Sequence, residues 1–80
     1  MAVMTKAEAK KILELDDRMI DVLDLLKSKR VLDAKMHRTI LLEGYKRLVD
    51  YLLQKKTINA SEAKQAMKNG LDYLLPRLAR

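Results

Sequence analysis

The stretch "KSKRVLDAKMHR", residues 27–38, decides the fold. It sets Lys27, Lys29, Arg30, Lys35 and Arg38 against a single acid, Asp33, and no glycine or proline lies between residues 5 and 43 to mark a break. Read as helix, it fuses both flanks into one rod from residue 5 to 56. Read as a connection, it lets two segments of similar length fold back on each other. The second reading is preferred, because a chain of 80 residues must fold back to bury its apolar stripes. Ser28, standing among like charges, is the position expected for a short connection or an N-cap.

Upstream, Thr5 and Glu8 have the spacing of a capping box and open a predicted helix over 5–27. Ile12, Leu15, Met19, Val22 and Leu26 recur at helical spacing, widened by Leu13, Ile20 and Leu23. Glu14, Asp17, Asp21 and Asp24 fall together on the opposite side as an acidic ridge. Downstream, a second helix is predicted over 32–55, with Leu41, Tyr45, Leu48 and Leu52 as its inward face. Met36, Ile40 and Tyr51, with Gly44 nearby, make a second apolar side. A helix apolar on two sides is usually sandwiched, so either the third helix or another copy covers this side, and it is the expected oligomer or partner interface. A third helix, over 59–75, opens on the box Asn59–Glu62 with Ile58 as its staple. The apolar period runs straight through Asn69-Gly70, so Gly70 is read as a point of close helix approach, and Pro76 as the kink or end. The expected fold is an all-α three-helix bundle, a long antiparallel hairpin plus a shorter C-terminal helix, in one domain over 1–80 with no internal repeat.

Composition narrows the function classes. The chain has no cysteine, which removes disulfides and thiolate zinc sites, and no Phe or Trp, with tyrosines only at 45, 51 and 73. A core this small is marginal on its own, and self-association is the common remedy, a dimer being favoured. No signal-like or membrane-spanning apolar run is present, and a cytoplasmic protein is expected. The net charge is +6, and it is unevenly spread: residues 27–56 hold nine bases against three acids, while residues 1–26 hold four against six. Such a balance favours an anionic partner, an acidic protein or nucleic acid.

Single residues carry little chemistry. Asp16 falls inside the apolar arc of the first helix, level with Tyr45 in an antiparallel hairpin, and a buried pair fixing helix register is expected there. His37, the only histidine, forms with Asp33 at best half a metal site, so no metal or cofactor is expected. Arg38 is expected to run its stem along the core near the turn, and Arg77 and Arg80 to solubilise a helix C-terminus. There is no nucleophile with a base beside it and no Gly-rich phosphate loop, so an enzyme is not expected. Two readings remain: a self-associating helical interaction module, acting as an adaptor or assembly piece, and a small basic nucleic-acid-binding regulator. The second would contact phosphates through Lys27, Lys29, Arg30, Lys35, Lys55 and Lys56, or through a weak helix-turn-helix made of the second helix, "TINAS" and the third.

Overall fold

The computed structural model describes residues 3–79, all of whose regular structure is helical. Six short helices follow one another: α1 (Lys6–Leu13), α2 (Arg18–Ser28), α3 (Ala34–Glu43), α4 (Tyr45–Gln54), α5 (Ala60–Asn69) and α6 (Leu71–Leu78). Each packs on the next, and α6 returns to α1, where the Val3 N–H donates to the Leu78 carbonyl at 2.9 Å. The result is a closed ring around one core, 27 × 25 × 23 Å. Arg80 lies outside the described residues.

The chain does turn back at the basic stretch, but every expected helix is divided in two. A straight helix over 32–55 would be about 36 Å long at 1.5 Å per residue, longer than any axis of the molecule, whose greatest extent is 27 Å. Gly44 divides it. With φ +95° and ψ −171° it ends α3 and starts α4 in a single step, its own N–H donating to the Ile40 carbonyl at 2.7 Å. Gly70 does the same between α5 and α6, at φ +75° and ψ −159°. It is thus a terminus and not a point of close approach, since a Cβ built on it would meet nothing within 4 Å. Pro76 sits inside α6, which runs on to Leu78.

The first helix breaks at residues 14–17 without glycine or proline. Glu14, Asp16 and Asp17 would burden the C-terminus of α1, where the helix dipole is negative, but they are welcome before the N-terminus of α2. The break therefore turns an unfavourable acid cluster into a favourable one.

The six helices form a threefold structural repeat, where the sequence pattern predicts none. The pairs α1–α2, α3–α4 and α5–α6 are equivalent hairpins. N-caps Thr5, Asp33 and Asn59 open their first helices, each side chain accepting a backbone N–H three residues on. The two capping boxes are complete, with the Glu8 and Glu62 carboxylates accepting from the cap N–H groups at 2.8 and 3.0 Å. The residue before each cap, Met4, Leu32 or Ile58, is buried. The second helices align at a spacing of 26 residues, so that Val22, Leu48 and Leu74 are each 0% exposed. Leu26, Leu52 and Leu78 form the next layer toward the helix ends. The positive-φ residues Arg30 and Lys56 obey the same spacing, as do Gly44 and Gly70.

The repeat defines two ends of the molecule. The loop end gathers the N-termini of α1, α3 and α5 with the C-termini of α2, α4 and α6. It is tied by Lys29 Nζ to Glu8 at 2.7 Å, by the Val3–Leu78 bond, and by the Tyr51 hydroxyl donating to the Val31 carbonyl at 2.8 Å. The joint end gathers the opposite termini. It is tied by Arg18 to Asp72 at 3.3 Å and by the Tyr45 hydroxyl donating to the Ala66 carbonyl at 2.9 Å.

Candidate interaction surfaces

At the loop end, α2 and α4 finish in the same way. The Val31 N–H reaches back to the Leu26 carbonyl and the Arg30 N–H to that of Lys27. One repeat later, Thr57 bonds Leu52 and Lys56 bonds Leu53, all at 2.9–3.0 Å. This is the Schellman arrangement, in which the residue at C′ takes a left-handed backbone and is usually glycine. Here it is Arg30 at φ 62° and Lys56 at φ 61°. Each follows a C-cap lysine, so the loop end presents two dibasic steps, Lys29-Arg30 and Lys55-Lys56. Cations suit helix C-termini, which explains the charge without any partner. It does not explain why the strained position itself carries a base.

The basic residues expected as phosphate contacts are thus only partly gathered. Lys27, Arg30 and Lys56 are exposed at the loop end. Lys29 is held by Glu8, and Lys55 lies 5.7 Å from the Tyr51 ring centroid. The contact from Lys29, with the Thr5 N–H bond, holds the Glu8 carboxyl below its ordinary range. Lys35 is the second residue of α3, in its first turn at the loop end, and is also exposed. Beside Lys56, between the end of α4 and the start of α5, runs an open groove of about 570 Å³ lined by Leu53, Lys56, Thr57, Ile58, Asn59 and Glu62.

The joint end differs. Glu14, Asp16, Asp17, Asp21 and Asp24 lie along the α1–α2 turn and α2, with Arg18 the one base among them. Asp16 is exposed there rather than buried, and Tyr45 bonds α5 instead of Asp16, so the expected register pair does not form. Burial of Tyr45 between α4 and α5 pushes its hydroxyl up to about 12. His37 meets Asp24 at 2.9 Å across α2 and α3, while Asp33 caps α3, so the two residues expected as half a metal site serve different contacts. Among the described residues no group of three or more His, Cys, Asp or Glu is placed to hold a metal ion.

The expected apolar interface is also displaced. Ile40 is fully buried and Tyr51 is 9% exposed with its hydroxyl satisfied, while Met36 is half-buried against the core. Gly44 is the joint itself. The bend at Gly44 is the reason: a single helical wheel over 32–55 mixes two helices whose inward faces point differently. In α3 the inward side carries Ile40, and Leu41 and Leu42 turn outward at 47% and 80% exposure. Ile20, 49% exposed, lies one turn before Asp24 as Leu41 lies one turn after His37. The Asp24–His37 contact therefore brings Ile20 and Leu41 to the same side of the molecule, beside Leu42 and Glu43. Burying a leucine side chain fully is worth about 1.5–3 kcal/mol, and Leu42 forgoes most of it. Recurrence of Gly44 at Gly70 was the signal that would have exposed the joint and, with it, the outward turn of Leu42.

No protein-family model matches this chain, and neither a curated protein nor a solved structure matches it. No helix among the described residues is long and apolar enough to cross a membrane.

Proposed function

We propose that this chain is a non-enzymatic helical interaction module that associates with copies of itself, serving as an assembly or adaptor piece. One observation carries the reading. Leu42 stands 80% exposed beside the exposed Leu41 and Glu43 at the joint end, while the dibasic loops occupy the other end. An apolar patch rimmed by charge is the usual mark of a protein contact. Complementary charge on the same chain supplies orientation. Light scattering over a wide range of protein concentration tests it: mass rising above that of the 9.3 kDa chain is expected, and a constant monomer removes the reading.

A second reading, a small basic nucleic-acid-binding regulator, is favoured by the two dibasic steps on one end of a chain of net charge +6. The helix-turn-helix version has less support, since α5 offers only Lys64, Gln65, Lys68 and Asn69 outward, and the Asn69 amide already donates to Gln65 at 3.1 Å. Titration with generic duplex at low and high salt separates the two readings: absence of salt-sensitive binding removes the nucleic-acid one.

A further inference from the structure

We infer that the copies join head to tail, Leu42 and Glu43 of one entering the groove beside Leu53 and Lys56 of the next. This inference rests on the self-association reading and specifies its geometry.

Three observations point to it. Among the described residues Leu42 is the most exposed large apolar side chain, at 80%, and it is held on a fixed support: the Gly44 N–H bond to Ile40 closes the last turn of α3. At the other end of the molecule, the groove at the α4–α5 connection has an apolar wall, Leu53, that is 36% exposed, and an entrance marked by Lys56. The neighbours match in charge, since Glu43 follows Leu42 directly and Lys56 stands at the groove, whose own acid, Glu62, is engaged by the Asn59 N–H at 3.0 Å. A knob, an adjoining acid, a groove and an adjoining base are thus all present on one chain.

Their placement fixes the symmetry. The knob belongs to the joint end and the groove to the loop end, so the same patch does not meet itself. Such a contact is heterologous, and it leaves a free knob and a free groove on every complex until the array closes as a ring or extends as a filament. Growth into chains follows, in contrast to a closed dimer. The left-handed backbone of Lys56, shared with Arg30, keeps a base beside the groove at a position where glycine would be the more stable residue.

The test uses two variants of the full chain, Leu42→Asp, which spoils the knob, and Lys56→Glu, which reverses the groove. Circular dichroism confirms that each keeps its helices, as expected for exposed positions. Wild type is expected to show an average mass that keeps rising past twice the monomer with concentration. Each variant alone is expected to stay monomeric, because the one contact in every pair needs an intact knob and an intact groove. Mixed in equal amounts, the variants are expected to double in mass and stop, since Lys56→Glu still has its knob and Leu42→Asp still has its groove. A mixture that stays monomeric, or a variant that associates alone as wild type does, overturns the head-to-tail contact. Wild type that closes as a dimer indifferent to both substitutions overturns it too, while leaving self-association standing. A monomeric wild type removes both.

Discussion

Arg30 and Lys56 stand 26 residues apart in equivalent hairpins and hold the same left-handed backbone, φ 62° and 61°. For a side chain with a Cβ, that conformation costs about 1–2 kcal/mol, whereas glycine adopts it freely. Glycine gives back part of the gain through its greater freedom in the unfolded chain. Arg30→Gly and Lys56→Gly are therefore each expected to stabilise the fold by about 0.5–1 kcal/mol, read as a raised urea midpoint with unchanged slope. Lys56→Gly should at the same time weaken self-association. A substitution that improves the monomer and impairs the assembly would show that the strain at Lys56 serves the contact.

The joints show the converse. Gly44 and Gly70 combine φ of 95° and 75° with ψ near −170° and −159°, a region essentially reserved for glycine. Nothing crowds either position, so any cost of a side chain there is backbone strain alone. Gly44→Ala and Gly70→Ala are each expected to destabilise by about 1–3 kcal/mol, lowering the melting temperature by about 4–8 °C per kcal/mol. Chemical synthesis with D-alanine at residue 44 discriminates the cause: the mirror-image residue accepts positive φ and should restore or exceed wild-type stability. If D-alanine destabilises as much as L-alanine, strain is not the reason for glycine.

Glu8 links the first cap to the end of α2, and its contact with Lys29, then the Thr5 N–H, depresses its pKa. The depressed folded value means that the folded state favours the carboxylate. The stabilisation is complete above the ordinary value of 4.5 and is lost as pH falls through the lower folded value. Glu8→Gln should accordingly be less stable than wild type at neutral pH and converge with it in acid. Denaturant midpoints of the two proteins from pH 7 to pH 2 check this. A difference that stays constant over that range would mean that the ionic form of Glu8 contributes nothing.

Much of the architecture was legible because it is local chemistry. Thr5–Glu8 and Asn59–Glu62 read as capping boxes from spacing alone, and they form. The return of the chain near residues 29–33 was legible too, although Asp33 does the capping and Ser28 instead donates its hydroxyl to the Leu25 carbonyl. The joints were hidden by the very feature that makes them work. Ile40, Leu48 and Leu52 keep helical register across Gly44, as Ala66, Leu74 and Leu78 do across Gly70, because both arms of each hairpin bury into one core. The repeat was hidden because most of its positions share burial and few share identity: Met19, Tyr45 and Leu71 occupy one place, and Ile12, Ile40 and Ala66 another. A basic loop end could be read from composition, but the outward turn of Leu42 depends on the bend.

Tyr45 offers a probe of the joint end from the alkaline side. Its hydroxyl donates to the Ala66 carbonyl, which also accepts from the Gly70 N–H at 2.8 Å. Burial disfavours the phenolate and raises the pKa from 10.0 to about 12. A raised value means that the folded state holds the proton longer than the unfolded chain does. The stability is therefore fully present below 10.0 and is lost as pH climbs toward about 12. Tyr45→Phe removes the ionisable group together with one hydrogen bond, whose loss costs about 1 kcal/mol at neutral pH. Because Ala66 keeps its bond from Gly70, no acceptor is left bare. The variant should thus begin slightly less stable than wild type and lose that deficit between pH 10 and 12, as wild type alone bears the cost of keeping a buried phenol protonated. Urea midpoints of both proteins across this range give the difference directly, and lysine titration, common to both, cancels. A stability gap that fails to narrow would place the Tyr45 hydroxyl in water and detach α4 from the end of α5.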